Sequence, residues 1–264
     1  MAEQGERLYG LTLSNVPADA WHESAEGVAT LDRLRRSDPS LKSLELPAAR
    51  VGIAGAAALA DALLHNTECE DAELGYNELS DAALGLFAPV VARNRTLRSL
   101  SFYFNHQLDE PGACPGVVQI AEALHGNETL TALDLSHCIV KNEGAVALGG
   151  ALRVNHALRS LNLENCRIGA LGLRAIFEAA RLNSTLQELD VQSLRRDDGL
   201  HQVLDDFVED GPVVCRAGLR VTLVTELSRH TAAANAAIVQ LIAAARLEEA
   251  GAADEGAHEG ADAA

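Results

Sequence analysis

Large rings are scarce in this chain: aromatic residues are 3% of 264, with one Trp, three Tyr and five Phe. A core built on big aromatic plugs is therefore excluded, and Leu and Ala must fill the interior. Positive charge is also short, with 21 Lys and Arg against 38 Asp and Glu, a net charge of −17. Nucleic acid demands a basic face to meet its phosphates, so that partner class is excluded. The acidity fits a basic protein partner, and it also serves solubility. No apolar run reaches the length needed to span a bilayer. The first ten residues, MAEQGERLYG, lack the basic start and apolar centre of a secretory signal, and Glu3 and Glu6 argue against a transit peptide. A soluble, cytoplasmic protein is expected.

Cysteine is sparse and wrongly spaced for metal. The sequence has no C-x-x-C pair and no Cys/His ligand spacing, so a zinc site is not expected. Cys69, Cys138 and Cys166 fall at apolar pattern positions, where a thiol is a small filler with a weak donor. A disulfide framework is not expected in a reducing compartment. Catalytic motifs are absent too: there is no G-x-S-x-G, no phosphate-binding glycine loop and no H-E-x-x-H. Neither an enzyme nor a cofactor is expected.

What the chain does have is repetition. ETLTALDLSHCIVKNEGAVALGGALRVN is followed at once by HALRSLNLENCRIGALGLRAIFEAARLN, and each unit is 28 residues long. Leu130, Leu133, Leu135, Cys138 and Val140 recur as Leu158, Leu161, Leu163, Cys166 and Ile168. Stepping outward, the same phase starts at 8, 41, 69, 97, 130, 158, 186 and, degraded, at 214. A short strand with leucines inward, then an amphipathic run, makes one coil of a solenoid. The pattern predicts a right-handed α/β horseshoe of about eight coils, with a parallel sheet on the concave face and helices on the convex face. It resembles the ribonuclease-inhibitor-like leucine-rich repeats over 8–225. Within that class the stretch from Asn183 through 227–235 is similar to the end of the tropomodulin repeat domain, which implies actin binding as one alternative. The repeats with an acidic tail also resemble the Ran GTPase-activating protein, which implies regulation of a small GTPase as another.

The expected organisation is a capping coil over 1–37, the repeat array over 38–225, a closing helix over 226–247, and a disordered acidic Ala/Gly tail over 248–264. In the first coil a helix over 23–36 should turn Ala25, Val28, Leu31 and Leu34 inward, with Trp21 plugging the open end. Pro89 should bend a helix over 80–93. A five-residue insertion after Asn105 should protrude before a helix starting near Pro115. Asn66, Asn94, Asn127, Asn155 and Asn183 precede each next strand and should hold the turns. The sequons at Asn94, Asn127 and Asn183 are by-products of that ending.

Alternate residues of a strand point to opposite faces, so those between the leucines line the concave side. Its centre collects Tyr76, Tyr103, Phe104 and His137 inside a frame of Glu73, Asp134, Glu164 and Asp190. Aromatic anchors with charged surroundings give interfaces their affinity and steering. The reading is a non-enzymatic scaffold that grips a basic or amphipathic protein partner, in a cytoskeletal or ciliary assembly, with no nucleic acid, membrane or small-molecule substrate.

Overall fold

The structure is a computed structural model and describes residues 7–8, 11–12, 20–105, 114–191 and 220–222. Two short strands, β1 (Arg7–Leu8) and β2 (Leu11–Thr12), pair antiparallel. Helix α1 (Ala25–Arg35) follows. Then come β3 (Ser43–Glu45), α2 (Gly52–His65), β4 (Asp71–Glu73), α3 (Asp81–Gly85), α4 (Ala88–Arg93), β5 (Ser99–Ser101) and α5 (Pro115–Leu124). The array continues with β6 (Ala132–Asp134), α6 (Lys141–Leu152), β7 (Ser160–Asn162), α7 (Ala170–Leu182), β8 (Glu188–Asp190) and β9 (Arg220–Thr222). Strands β3 to β9 form one parallel sheet in sequence order.

The leucine phase sets the register. Leu44, Ala72, Leu100, Leu133, Leu161 and Leu189 lie opposite one another from β3 to β8. Two positions on, Leu46, Leu74, Phe102, Leu135 and Leu163 form a second buried row. Facing them from the helices are Leu59, Phe87, Ile120, Leu148 and Ile176, all buried. Fully burying each such side chain is worth about 1.5–3 kcal/mol, so the array is held by stacked aliphatic rows rather than by one central core.

Polar side chains close the turns between coils. Asn94 Nδ2 donates to Leu63 O and Asn66 O of the previous coil, while its Oδ1 accepts from Thr96 N and Leu97 N. Asn155 and Asn183 repeat both sets of bonds. At the end of each strand a second slot holds Asn77, Asn105, Cys138 and Cys166. Their side chains donate to Leu46 O, Leu74 O, Phe102 O and Leu135 O respectively, each in the preceding coil. The thiols thus do the job of the amides, and their donor capacity matters as much as their small volume.

Among the described residues about six coils are present, where eight were expected. Leu8 and Leu11 are register partners in an antiparallel pair, so the first L-x-x-L forms a separate two-stranded sheet instead of an outer strand of the array. At the other end Val221 of β9 pairs with Leu189, a step of 32 residues in place of the 28 between the preceding coils. Helix α1 also turns differently: Gly27, Leu31 and Leu34 are buried, and Val28 is 46% exposed. The cause is Trp21, fully buried beneath it. A Cβ on Gly27 would fall 2.0 Å from Trp21 O, so only glycine lets the helix settle there. The stretch before Asn94 is broken into α3 and α4, with Pro89 in the first turn of α4, where a missing N–H costs nothing. Helix α5 begins at Pro115. The coil-four insertion beyond Asn105, the closing helix over 226–247 and the tail lie outside the described residues.

Candidate concave binding site

Period-two alternation sends the leucines inward and presents the intervening residues of β3 to β8 on the concave face. Along those columns, from Ser43 to Asp190, stand seven carboxylates: Glu45, Asp71, Glu73, Asp134, Glu164, Glu188 and Asp190. No Lys or Arg interrupts them. The cationic side chains nearest in sequence sit one step earlier, at the strand entrances, as with Lys42, which pairs with Glu68.

At the far end of each strand the backbone makes the same left-handed turn. Ala48, Tyr76, Phe104, His137 and Asn165 all have φ between 53° and 57°. That conformation costs a non-glycine residue about 1–2 kcal/mol. Three successive coils nevertheless put rings there, and the rings stack. Tyr76 and Phe104 lie 4.6 Å apart at 12°, and Phe104 and His137 3.7 Å apart at 15°. Asn165 Nδ2 donates to His137 Nδ1 at 2.9 Å, which orients the imidazole, and Glu164 lies 3.9 Å from the other nitrogen.

Tyr103 stands edge-on to both Tyr76 and Phe104. Its hydroxyl donates to Glu73 Oε1 at 3.0 Å. Burial, then this carboxylate acceptor, push the phenol up to about 12. The ring has room because Gly75 lies beneath it; a Cβ at that position would meet the ring at 2.0 Å. Asp134 accepts from Ser136 N, which fixes its carboxylate.

Six of the eight predicted residues therefore assemble directly. Glu73 joins Tyr103, the three-ring stack joins Tyr103's edges, and Glu164 adjoins His137. Asp134 sits on β6 beside Ser101, and with Glu73 and Tyr103 it lines one groove. Asp190 is the outlier: it lies on β8, two strands beyond Asp134. The groove has a volume of about 340 Å³ and is also lined by Ser43, Asp71, Ser99 and Ser101. Asp71, Ser43 and Ser99 were missed because only the two columns nearest the turn were followed. The same alternation, taken one step back along each strand, finds them. Among the described residues no cluster of three or more His, Cys, Asp or Glu could hold a metal ion, and no helix is long and apolar enough to cross a membrane.

A leucine-rich repeat family model matches residues 126–149 and 154–177. A search of curated proteins gives no match. Among solved structures the chain is similar to actin-binding site 2 of leiomodin-1, at 15% identity and a TM-score of 0.45, covering 90% of this chain and 98% of that one. It is also similar to the tropomodulin C-terminal domain of Caenorhabditis elegans, at 15% identity and a TM-score of 0.47, covering 59% and 92%. Strand register and matched repeats agree on one statement: the described residues form leucine-rich repeat coils of α/β type.

Proposed function

We propose that the chain is a non-enzymatic scaffold that holds a basic or amphipathic segment of a partner protein against its concave face. The observation that carries this reading is the sign of that face: its columns from Ser43 to Asp190 hold seven carboxylates and no Lys or Arg, and a fixed aromatic cluster stands at their far end. Complementary potential steers association and rejects acidic partners. Rigid rings in a pre-formed surface supply area at low entropic cost, and such anchors dominate interface energetics. The contact set is Glu73, Tyr76, Tyr103, Phe104, Asp134, His137 and Glu164, with Asp190 at the margin.

The test uses the full chain with a photo-crosslinker at Ser101 on the concave face or at the exposed Val146 on the outer helices. A partner should be trapped from cell extract only by the concave probe, and Tyr103→Ala with Asp134→Lys should abolish it. Retention of every partner by that double variant refutes the reading. Purified actin and a panel of small GTPases belong in the same assay. Co-sedimentation sensitive to the double variant would name the first as partner, and accelerated GTP hydrolysis would replace the scaffold reading by the regulatory one.

A further inference from the structure

The groove beside Tyr103 differs from the rest of the face in shape as well as charge. Its lining includes the short side chains of Ser43, Ser99 and Ser101, so the sheet is hollowed there. One wall is the Tyr103 ring, and Asp71, Glu73 and Asp134 stand around it. Tyr103 cannot swing away freely: its hydroxyl is tied to Glu73 and its ring is held edge-on by Tyr76 and Phe104. A volume of about 340 Å³ is too small for a helix and sits at the lower end of the roughly 300–1,000 Å³ typical of ligand pockets, room for one long side chain.

We propose that this groove receives a single arginine or lysine side chain from an extended partner segment, its aliphatic stem along the Tyr103 ring and its charged head among Asp71, Glu73 and Asp134. The inference rests on the concave-face reading and narrows it to one anchor. Long cationic side chains are built for such a site, because the methylene stem packs on apolar surface while the head stays with polar groups. The ring face attracts the cation as well. Neither wall suffices alone. The carboxylates supply charge, and the hollow with its fixed ring selects the length and shape of what enters. Gly75 is a positioning residue: it touches no ligand, and it sets where the ring can lie.

The chain has three tyrosines, so 13C-labelled tyrosine gives three ring signals to follow by NMR. The full chain is titrated with acetyl-Gly-Arg-Gly-amide, its lysine counterpart, and the citrulline counterpart, which keeps the shape of arginine without the charge. Arginine and lysine peptides should move the Tyr103 signal saturably in the low-millimolar range, with citrulline at least tenfold weaker. Asp134→Asn should weaken binding at least fivefold, since Asn can still accept from Ser136 N and keep the strand intact. Glu128→Gln removes the same charge from an exposed turn and should change nothing. Gly75→Ala should abolish the Tyr103 response while the Tyr9 signal and the circular dichroism stay as in the parent. A silent Tyr103, an equal response to citrulline, or equal weakening by Asp134→Asn and Glu128→Gln overturns the proposal. A partner trapped on the concave face with Tyr103 silent to the peptides would defeat the anchor and leave the scaffold reading standing. Peptide binding without any trapped partner would do the reverse.

Discussion

Replacing Asn155 by Ala tests how the coils are joined. Its side chain makes four hydrogen bonds: Nδ2 donates to Leu124 O and Asn127 O of the coil before, and Oδ1 accepts from Ala157 N and Leu158 N of its own turn. The residue is 2% exposed, so water cannot simply take its place. A net contribution of about 1 kcal/mol per bond gives about 4 kcal/mol, and orphaned buried groups raise the cost further. Against a total stability of about 5–15 kcal/mol, that is a large fraction. Equilibrium unfolding in urea, followed by circular dichroism, should show the loss, and native-state hydrogen exchange should place it at Leu124–Leu158. Asn155→Asp separates the two halves of the network, because it keeps both acceptor bonds and loses both donors. It should therefore destabilise, and the loss should ease as the carboxylate is protonated at low pH. A shift worth under about 1 kcal/mol for Asn155→Ala would refute the idea that these amides bind coil to coil, leaving the aliphatic rows to do so alone.

Further expectations follow from the site and the thiols. Glu73→Gln removes the carboxylate that accepts from Tyr103, so the phenol should titrate below its value of about 12 while staying above an exposed tyrosine, burial being the larger cause; ultraviolet absorbance at high pH reads this directly. Burial pushes Cys69 up to about 11 and Cys138 up to about 12, and raises Cys166 well above the ordinary thiol value. These thiols should resist alkylation in the native protein and react at once in denaturant. Because their folded pKa values are raised, their contribution to stability is complete below the unfolded value near 8.5 and is lost as pH climbs toward the folded ones. The urea midpoint should then fall between pH 8 and pH 11, and fall less when Cys138 and Cys166 are both Ala.

Much of this architecture was legible because one phase is written over and over. Leu133 and Leu161 fix their own register, since any slip would turn a leucine row out to water. Where the writing becomes ambiguous, the reading failed for physical reasons. Leu8 and Leu11 satisfy the repeat, but the same spacing serves an antiparallel pair equally well. Beyond Leu189 the spacing lengthens from 28 to 32 residues, with Val221 of β9 opposite Leu189, so the phase alone does not give the register of the last strand. The buried face of α1 was decided by Gly27 resting on Trp21, a contact no periodicity encodes. Glu73, Tyr103, Asp134, Glu164 and Asp190 were found by alternation, and Tyr76, Phe104 and His137 as neighbours of those columns. Their stacking was not, since it depends on a left-handed backbone that usually goes to Gly or Asn.

That backbone points to a last prediction. In the left-handed slot Asn165 is the inexpensive choice, and Ala48 a modest one; Tyr76, Phe104 and His137 are costly. Phe104→Asn should relieve about 1–2 kcal/mol of strain and forfeit two stacking contacts and the edge contact with Tyr103, each worth about 0.5–1.5 kcal/mol. The effects largely offset, so the net loss of stability should be about 1–2 kcal/mol. Phe102, two positions earlier and fully buried, has no such offset, and Phe102→Ala should cost about 3–5 kcal/mol. If the rings exist to hold the fold, Phe104→Asn will resemble Phe102→Ala in a urea titration. If they are carried for what they present to a partner, the variant will keep most of its stability and fail to capture anything through the concave crosslinker. A strained residue whose loss costs little stability and abolishes capture would be one carried for contact, and the pair of phenylalanines separates that cause from packing within one protein.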